Sequence, residues 1–190
     1  MKEIFLKNGF SKFSNFIDNK EIEQIRLIYD QILDDIEGTA HLRSDLSGKG
    51  DIGEEKITQI MCPSNLSKTL KKSNTYKKAL THAQQLLGED MSLDFDMLIN
   101  KKPYTDTPTP PHQDAAYWIK MPDKRAVSYW IAIDKATKEN GCMWFIPKKK
   151  NEIKPHHAAI IGGALSCEIS KEKAVCVPLE TGDATFHDGF

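Results

Sequence analysis

The stretch Pro110-Pro111-His112-Gln113-Asp114-Ala115-Ala116-Tyr117-Trp118 decides how this chain is read. On a strand, successive side chains point to opposite faces, so His112 and Asp114 emerge on one side and Gln113 on the other. A strand edge is therefore the expected setting. A neutral imidazole and a carboxylate offered from one rigid edge suit a divalent transition metal. One further histidine would complete a facial triad with positions left open for other ligands. Alone, the pattern carries little weight, since a His-x-Asp arises by chance in about one chain in five of this length. A hydrogen-bonded His–Asp pair at a strand edge is the alternative.

Working outward, the segment before this motif, from Pro103 to Pro111, holds four prolines and three threonines and is expected to be an extended loop. Upstream of it Leu93, Phe95 and Met97 alternate with polar residues as a strand would. Downstream, 127–133 and 142–146 are rich in β-formers and flank the turn signal Lys138-Glu139-Asn140-Gly141. Short strands are also expected at 174–177 and 184–187. The first half reads differently. Asp18 is placed to cap a helix, with Glu21 at the capping-box position and Ile22, Ile25, Ile32 and Ile36 along one side; Gly38 is expected to end it. A polar stretch, 44–55, reads as a mobile loop. A second helix follows Ser73, with Leu80, Leu86 and Leu87 on its buried side and Gly88 at its end.

Helices in about 1–90 and strands in about 91–190 predict an α+β chain, one domain over 1–190, with a β-sandwich or jelly roll in its second half. The 190 residues suffice for one substantial core. The balance of 26 basic against 27 acidic residues gives no electrostatic case for nucleic acid or an anionic membrane. Cys62, Cys142, Cys167 and Cys176 form no CxxC pair and are expected to be reduced thiols. MKEIFLKNGF is too charged for a signal-peptide core, and no apolar run approaches membrane-spanning length, so a cytoplasmic location is expected. His156-His157 read as a loop or surface pair, and Lys148-Lys149-Lys150 as a solvated turn.

Taken together, MLINKKP (97–103), PPHQDAAYW (110–118), SYWIAIDKATKENGCMWFIP (128–147) and GDATFHDGF (182–190) resemble the phytanoyl-CoA dioxygenase-like family in order and approximate spacing. The resemblance implies a double-stranded β-helix of cupin type with N-terminal helices packed on it, ferrous iron, and 2-oxoglutarate as co-substrate. It implies His112 and Asp114 as iron ligands, with Trp130 and Met97 lining the 2-oxoglutarate pocket. Lys56 matches a lysine that contacts the co-substrate in some members, a solvated surface lysine being the alternative. In the family the third ligand follows the GD-x-x-F-H element by a few residues. By that register His187 precedes the ligand, which is expected just beyond Phe190, along with the arginine that pairs with 2-oxoglutarate. His187 is the fallback, and the C-terminal end is expected to be incomplete. Family members that halogenate lack the carboxylate, so the intact His112-x-Asp114 points to hydroxylation of a small organic molecule, with dioxygen consumed. Tyr117, Trp118 and Trp144 are candidates for aromatic pocket walls. The competing expectation is a non-catalytic β-sandwich that binds a small ligand or metal.

Overall fold

The computed structural model describes residues 2–48, 50–118, 120–158 and 165–190. Its first half runs α1 (Lys2–Asn8), β1 (Phe10–Phe13), α2 (Asn19–Asp34), α3 (Ile36–Thr39), β2 (Arg43–Asp45), β3 (Ile57–Met61), α4 (Pro63–Leu66), α5 (Lys68–Lys71) and α6 (Asn74–Leu87). The second half runs β4 (Met97–Lys101), β5 (Ser128–Ile131), β6 (Met143–Phe145), β7 (His157–Ala158), β8 (Leu165–Ser166), β9 (Val175–Val177) and β10 (Ala184–His187).

Local chemistry explains the helices. The Asp18 carboxylate accepts from the Glu21 N–H at 2.9 Å and satisfies one orphan donor at the start of α2. Ser73 caps α6 in the same way, through the Tyr76 N–H. The chain leaves α2 earlier than expected, at Asp35 rather than Gly38, because the Asp35 side chain starts α3 by accepting from the Gly38 N–H. Ile36 therefore lies outside α2 and is exposed, and Leu80 sits at the outer edge of α6. The strand expected from Met91 begins only at Met97.

Two three-stranded antiparallel sheets, β1-β10-β5 and β2-β3-β4, join two strand pairs, β6-β9 and β7-β8. α2 spans both larger sheets. Ile22 and Ile25 pack with Phe16, Leu70 and Ala184 against the first, while Ile32 packs with Ile60 and Leu98 on the second. The architecture is mixed helix and strand, as expected. The described sheets are small and open, and they are consistent with a jelly-roll core.

The two faces of β1-β10-β5 differ. In β10, Ala184 pairs with Ile131 and Phe186 with Tyr129, whereas Thr185 pairs with Trp130 and His187 with Ser128. Alternation places Ala184, Phe186, Tyr129, Ile131 and Phe13 on the helix side. There Phe186 is fully buried among Phe5, Leu86 and His82. Thr185, His187, Ser128, Trp130 and Phe10 form the other face. Phe10 stacks on Phe145 of β6 at 4.5 Å, and Phe145 lies 5.2 Å from the His187 ring. The β6-β9 pair thus covers this second face.

The described residues of 44–55 are held rather than loose. Asp45 accepts hydrogen bonds from the N–H groups of Ser47, Gly50 and Ile57 and from the Ser47 hydroxyl. Glu55 is buried and paired with Arg43 at 3.0 Å. Among the described residues no helix is long and apolar enough to cross a membrane.

Candidate metal centre

Residues 111–113 are not a strand, which corrects the expected strand edge. Gln113 is extended (φ −116°, ψ 126°), and Asp114–Ala116 form a short 3-10 turn. The prolines before His112 remove ladder donors, and the turn hydrogen bonds from Ala116 and Tyr117 back to Gln113 and Asp114 draw the chain off the extended path. One extended residue between them is still enough to bring the side chains together: His112 Nε2 lies 3.4 Å from Asp114 Oδ1.

The segment is pinned at three points. The Cys167 N–H donates to the Pro111 carbonyl, and the Ala115 N–H donates to the Gly189 carbonyl, each at 2.9 Å. Gln113 takes partners of its own. Its backbone N–H donates to His156 Nε2 at 3.0 Å, its side-chain amide donates to the Glu152 carbonyl, and its side-chain oxygen accepts from the Lys154 N–H. Gly189 is required where it is, since a Cβ there would lie 2.7 Å from the Trp118 ring and 3.0 Å from the Ala115 nitrogen.

Asp114 sits between two histidines. His187 Nε2 lies 3.5 Å from Asp114 Oδ2, and the Ser128 hydroxyl donates to the same oxygen at 3.2 Å. The side chains of His112 and Asp114 are 30% and 26% exposed, so solutes reach them. The two histidines meet different carboxylate oxygens. Among the described residues no three ligand-type side chains close on one point.

The donor set fits a cation. His112 Nδ1 is 2.9 Å from the Pro110 carbonyl, which can only accept, so Nδ1 carries the proton. In the neutral ring, Nε2 then turns its lone pair toward a carboxylate oxygen. Two electron-rich atoms at that separation need a proton or a metal ion between them. A carbonyl that fixes the tautomer and aim of a histidine is the usual support for a metal ligand. The titration shifts agree. The hydrogen bond to Asp114 raises the His112 pKa, against the opposing effect of burial. Burial works to raise the Asp114 pKa, but the hydrogen bonds and charges of His112 and His187 outweigh it and hold the carboxyl well below its usual range.

The other expected residues are placed less uniformly. Trp130 lies on the same face as Ser128 and His187 and packs beside Cys176 and Val177. Tyr117 stands edge-on to His112, with ring centroids 6.0 Å apart, while Trp144 is half exposed under Lys138. Met97 is 41% exposed and does not belong to the core. Lys56 is exposed and directly precedes β3. Since Met97 pairs with Met61, Lys56 and Met97 stand at opposite ends of the β3-β4 pair, about 16 Å apart along the strands. Ser128 went unnoticed in the sequence, although the alternation of β5 puts it on the Trp130 face. His156, read there as a surface residue, braces Gln113.

The chain is 38% identical over 72 residues to the phytanoyl-CoA dioxygenase domain-containing protein 1 of Bos taurus, a stretch that is 35% of this chain and 25% of that protein. It is 26% identical over 164 residues to the peroxisomal phytanoyl-CoA dioxygenase of Homo sapiens, covering 82% of this chain and 48% of the human one. The chain thus spans about half or less of these relatives' length. The crystal structure of EvdO2 from Micromonospora carbonacea var. aurantiaca, complexed with 2-oxoglutarate, superposes with a TM-score of 0.74 at 26% identity, over 98% of this chain and 79% of that one. With the family model for phytanoyl-CoA dioxygenase matching residues 5–190, the chain belongs to that family.

Proposed function

We propose that this chain carries the core of an iron(II) and 2-oxoglutarate-dependent dioxygenase that hydroxylates a small organic molecule, with release of succinate and carbon dioxide. The observation that carries the reading is the His112–Asp114 pair, with a tautomer fixed so that Nε2 confronts the carboxylate at 3.4 Å. His112 Nε2 and Asp114 are the proposed iron ligands, and the third is assigned, on the family pattern, to a histidine following Phe190. Bound ferrous iron supplies the oxidising chemistry, coupling dioxygen and 2-oxoglutarate to oxidation of the substrate. EvdO2, crystallised with 2-oxoglutarate on a similar fold, supports the co-substrate.

The remaining roles belong to the protein. Ser128 and His187 hold the second oxygen of Asp114, so the carboxylate presents its first oxygen toward His112. His187 therefore positions Asp114 rather than serving as a primary ligand. Trp130 is the proposed neighbour of the co-substrate. Met97 and Lys56 are carried as further co-substrate contacts, but from opposite ends of a strand pair they do not line one small pocket side by side. Tyr117 and Trp144 offer half-exposed aromatic walls to an apolar or amphipathic substrate.

The test is succinate formation by the full-length protein. Succinate that requires both ferrous iron and 2-oxoglutarate, and that disappears in Asp114→Ala, supports the proposal. Iron and 2-oxoglutarate binding with no succinate above blank across a substrate panel would overturn it in favour of a non-catalytic binder.

A further inference from the structure

Cys142 and Cys176 come from separate parts of the second half of the chain, and their sulfurs meet at 3.2 Å. The register explains the meeting. Trp144 of β6 is the partner of Cys176 in β9, and Cys142 lies two residues before Trp144, so the cysteines share one face as diagonal neighbours. Cys142 is buried in the cluster of Ala132, Ala136 and Leu179, and Cys176 and Trp130 pack on that cluster. Cys176 is only partly buried. Neither Cys62 nor Cys167 has a sulfur neighbour among the described residues, and all four cysteines are thiols. Gly141, at φ +105°, gives the chain before Cys142 a turn whose backbone is unencumbered by a side chain.

We propose that Cys142 and Cys176 form a reversible intramolecular disulfide, an oxidant-sensitive tether between the β5–β6 turn and β9. This does not depend on the proposed catalytic activity. A disulfide needs the sulfurs drawn in by about 1 Å, to a bond of about 2 Å. The oxidant is a hydroperoxide. The accessible Cys176, as its thiolate, attacks the terminal peroxide oxygen, so that the O–O bond breaks and Cys176 becomes a sulfenic acid. The Cys142 sulfur then displaces the sulfenic oxygen as water. In sum, two thiols and one hydrogen peroxide give one disulfide and two waters, with two electrons passing from sulfur to oxygen. A dithiol reductant reverses the step by exchange.

The tether has a structural consequence. The loop it closes contains Glu152, Lys154 and His156, the residues that hold Gln113 between His112 and Asp114. Oxidation therefore restrains the segment that braces the candidate metal centre, and it raises thermal stability by limiting the unfolded chain.

The experiment is stepwise oxidation of the full chain with hydrogen peroxide, followed by alkylation, intact-mass measurement and peptide mapping. The expected result is a species lighter by two hydrogens, with Cys142 and Cys176 joined and both protected. Cys62 and Cys167 remain alkylated, dithiothreitol reverses the change, and the melting temperature rises by about 5 °C or more relative to reduced protein. Cys176→Ser abolishes both the protected species and the rise. Cys142 and Cys176 still free for alkylation once other residues have oxidised, Cys176 passing to sulfinic acid unpaired, or a disulfide through Cys62 or Cys167 would each overturn the proposal. Because the mapping is done on the unmutated chain, it decides the matter even if the serine variant folds poorly.

Discussion

The two faces of the β1-β10-β5 sheet share a backbone and differ in chemistry. On the helix side Phe186, Ala184, Tyr129 and Phe13 interlock with Phe5, Leu86 and the aromatic ring of Phe16. On the other side Thr185 Oγ1 and His187 Nδ1 are buried with no hydrogen-bond partner among the described residues, and Ser128 and His187 turn toward Asp114. Buried polar groups are normally satisfied, and the two unpartnered ones of this sheet both lie on the face that carries Ser128 and His187. The lesson is that alternation alone separates the two tasks: every second residue builds the core, and the residues between them build the site.

The sharpest way to break this comparison is to treat the faces symmetrically. Phe186→Ala should destabilise the chain by about 3–5 kcal/mol in urea unfolding, since it leaves a cavity that rigid neighbours cannot fill. A cost below about 1 kcal/mol would mean that the helix face is not the packed one.

A buried ion pair away from the sheet provides a second comparison. Arg43 and Glu55 are both almost fully buried, so Glu55→Gln should cost about 3 kcal/mol by leaving the guanidinium without its counter-charge. These carboxylates also set an acid limit. Burial pushes the Glu55 pKa up, but hydrogen bonds from the Gly53 and Glu55 N–H groups and the charge of Arg43 bring it below its ordinary value. Asp45, against the same effect of burial, is held at about 2 by the Ser47 and Ile57 hydrogen bonds. Because the folded values lie below the unfolded ones, the unfolded chain takes up protons first. The stabilisation is present above about pH 4 and lost as pH falls toward 2. Urea midpoints measured across that window check it, and Glu55→Gln should show a shallower decline.

The smallest effect is expected on the site face. Thr185→Val replaces an unpartnered buried hydroxyl with a methyl of similar shape, so stability should change by less than about 1 kcal/mol or improve. A loss of 2 kcal/mol or more would show that the hydroxyl is satisfied after all.

How much of this was legible in the sequence follows from the range of the forces involved. Caps are local, and Asp18 and Ser73 were found at the residues that start α2 and α6. The Gly182-Asp183 turn is local as well. Gly182 adopts φ +88°, and Asp183 accepts from the Asn15 and Glu180 N–H groups as the chain enters β10. β10 itself spans the expected residues 184–187. What escaped depends on distant partners. β1 has only four residues, and its place is set by pairing with β10 at the far end of the chain. The burial of Glu55 makes sense only once Arg43 lies across from it. At the site, the common side of His112 and Asp114 was legible because it needs a single extended residue between them. The 3-10 turn was not, because the Ala115–Gly189 hydrogen bond that anchors it joins residues far apart in sequence. Ser128 was missed because a serine in a β-rich run carries no signal until its partner is known.

The central claim, that His112 and Asp114 hold iron while His187 only steadies the carboxylate, is tested most directly by anaerobic ferrous-iron titration of the full-length protein and two variants. Asp114→Ala should lose iron binding by tenfold or more with its melting temperature nearly unchanged, and His187→Ala should bind within a few-fold of the parent. Wild-type iron affinity in Asp114→Ala, or iron lost only on changing His187, would contradict the account.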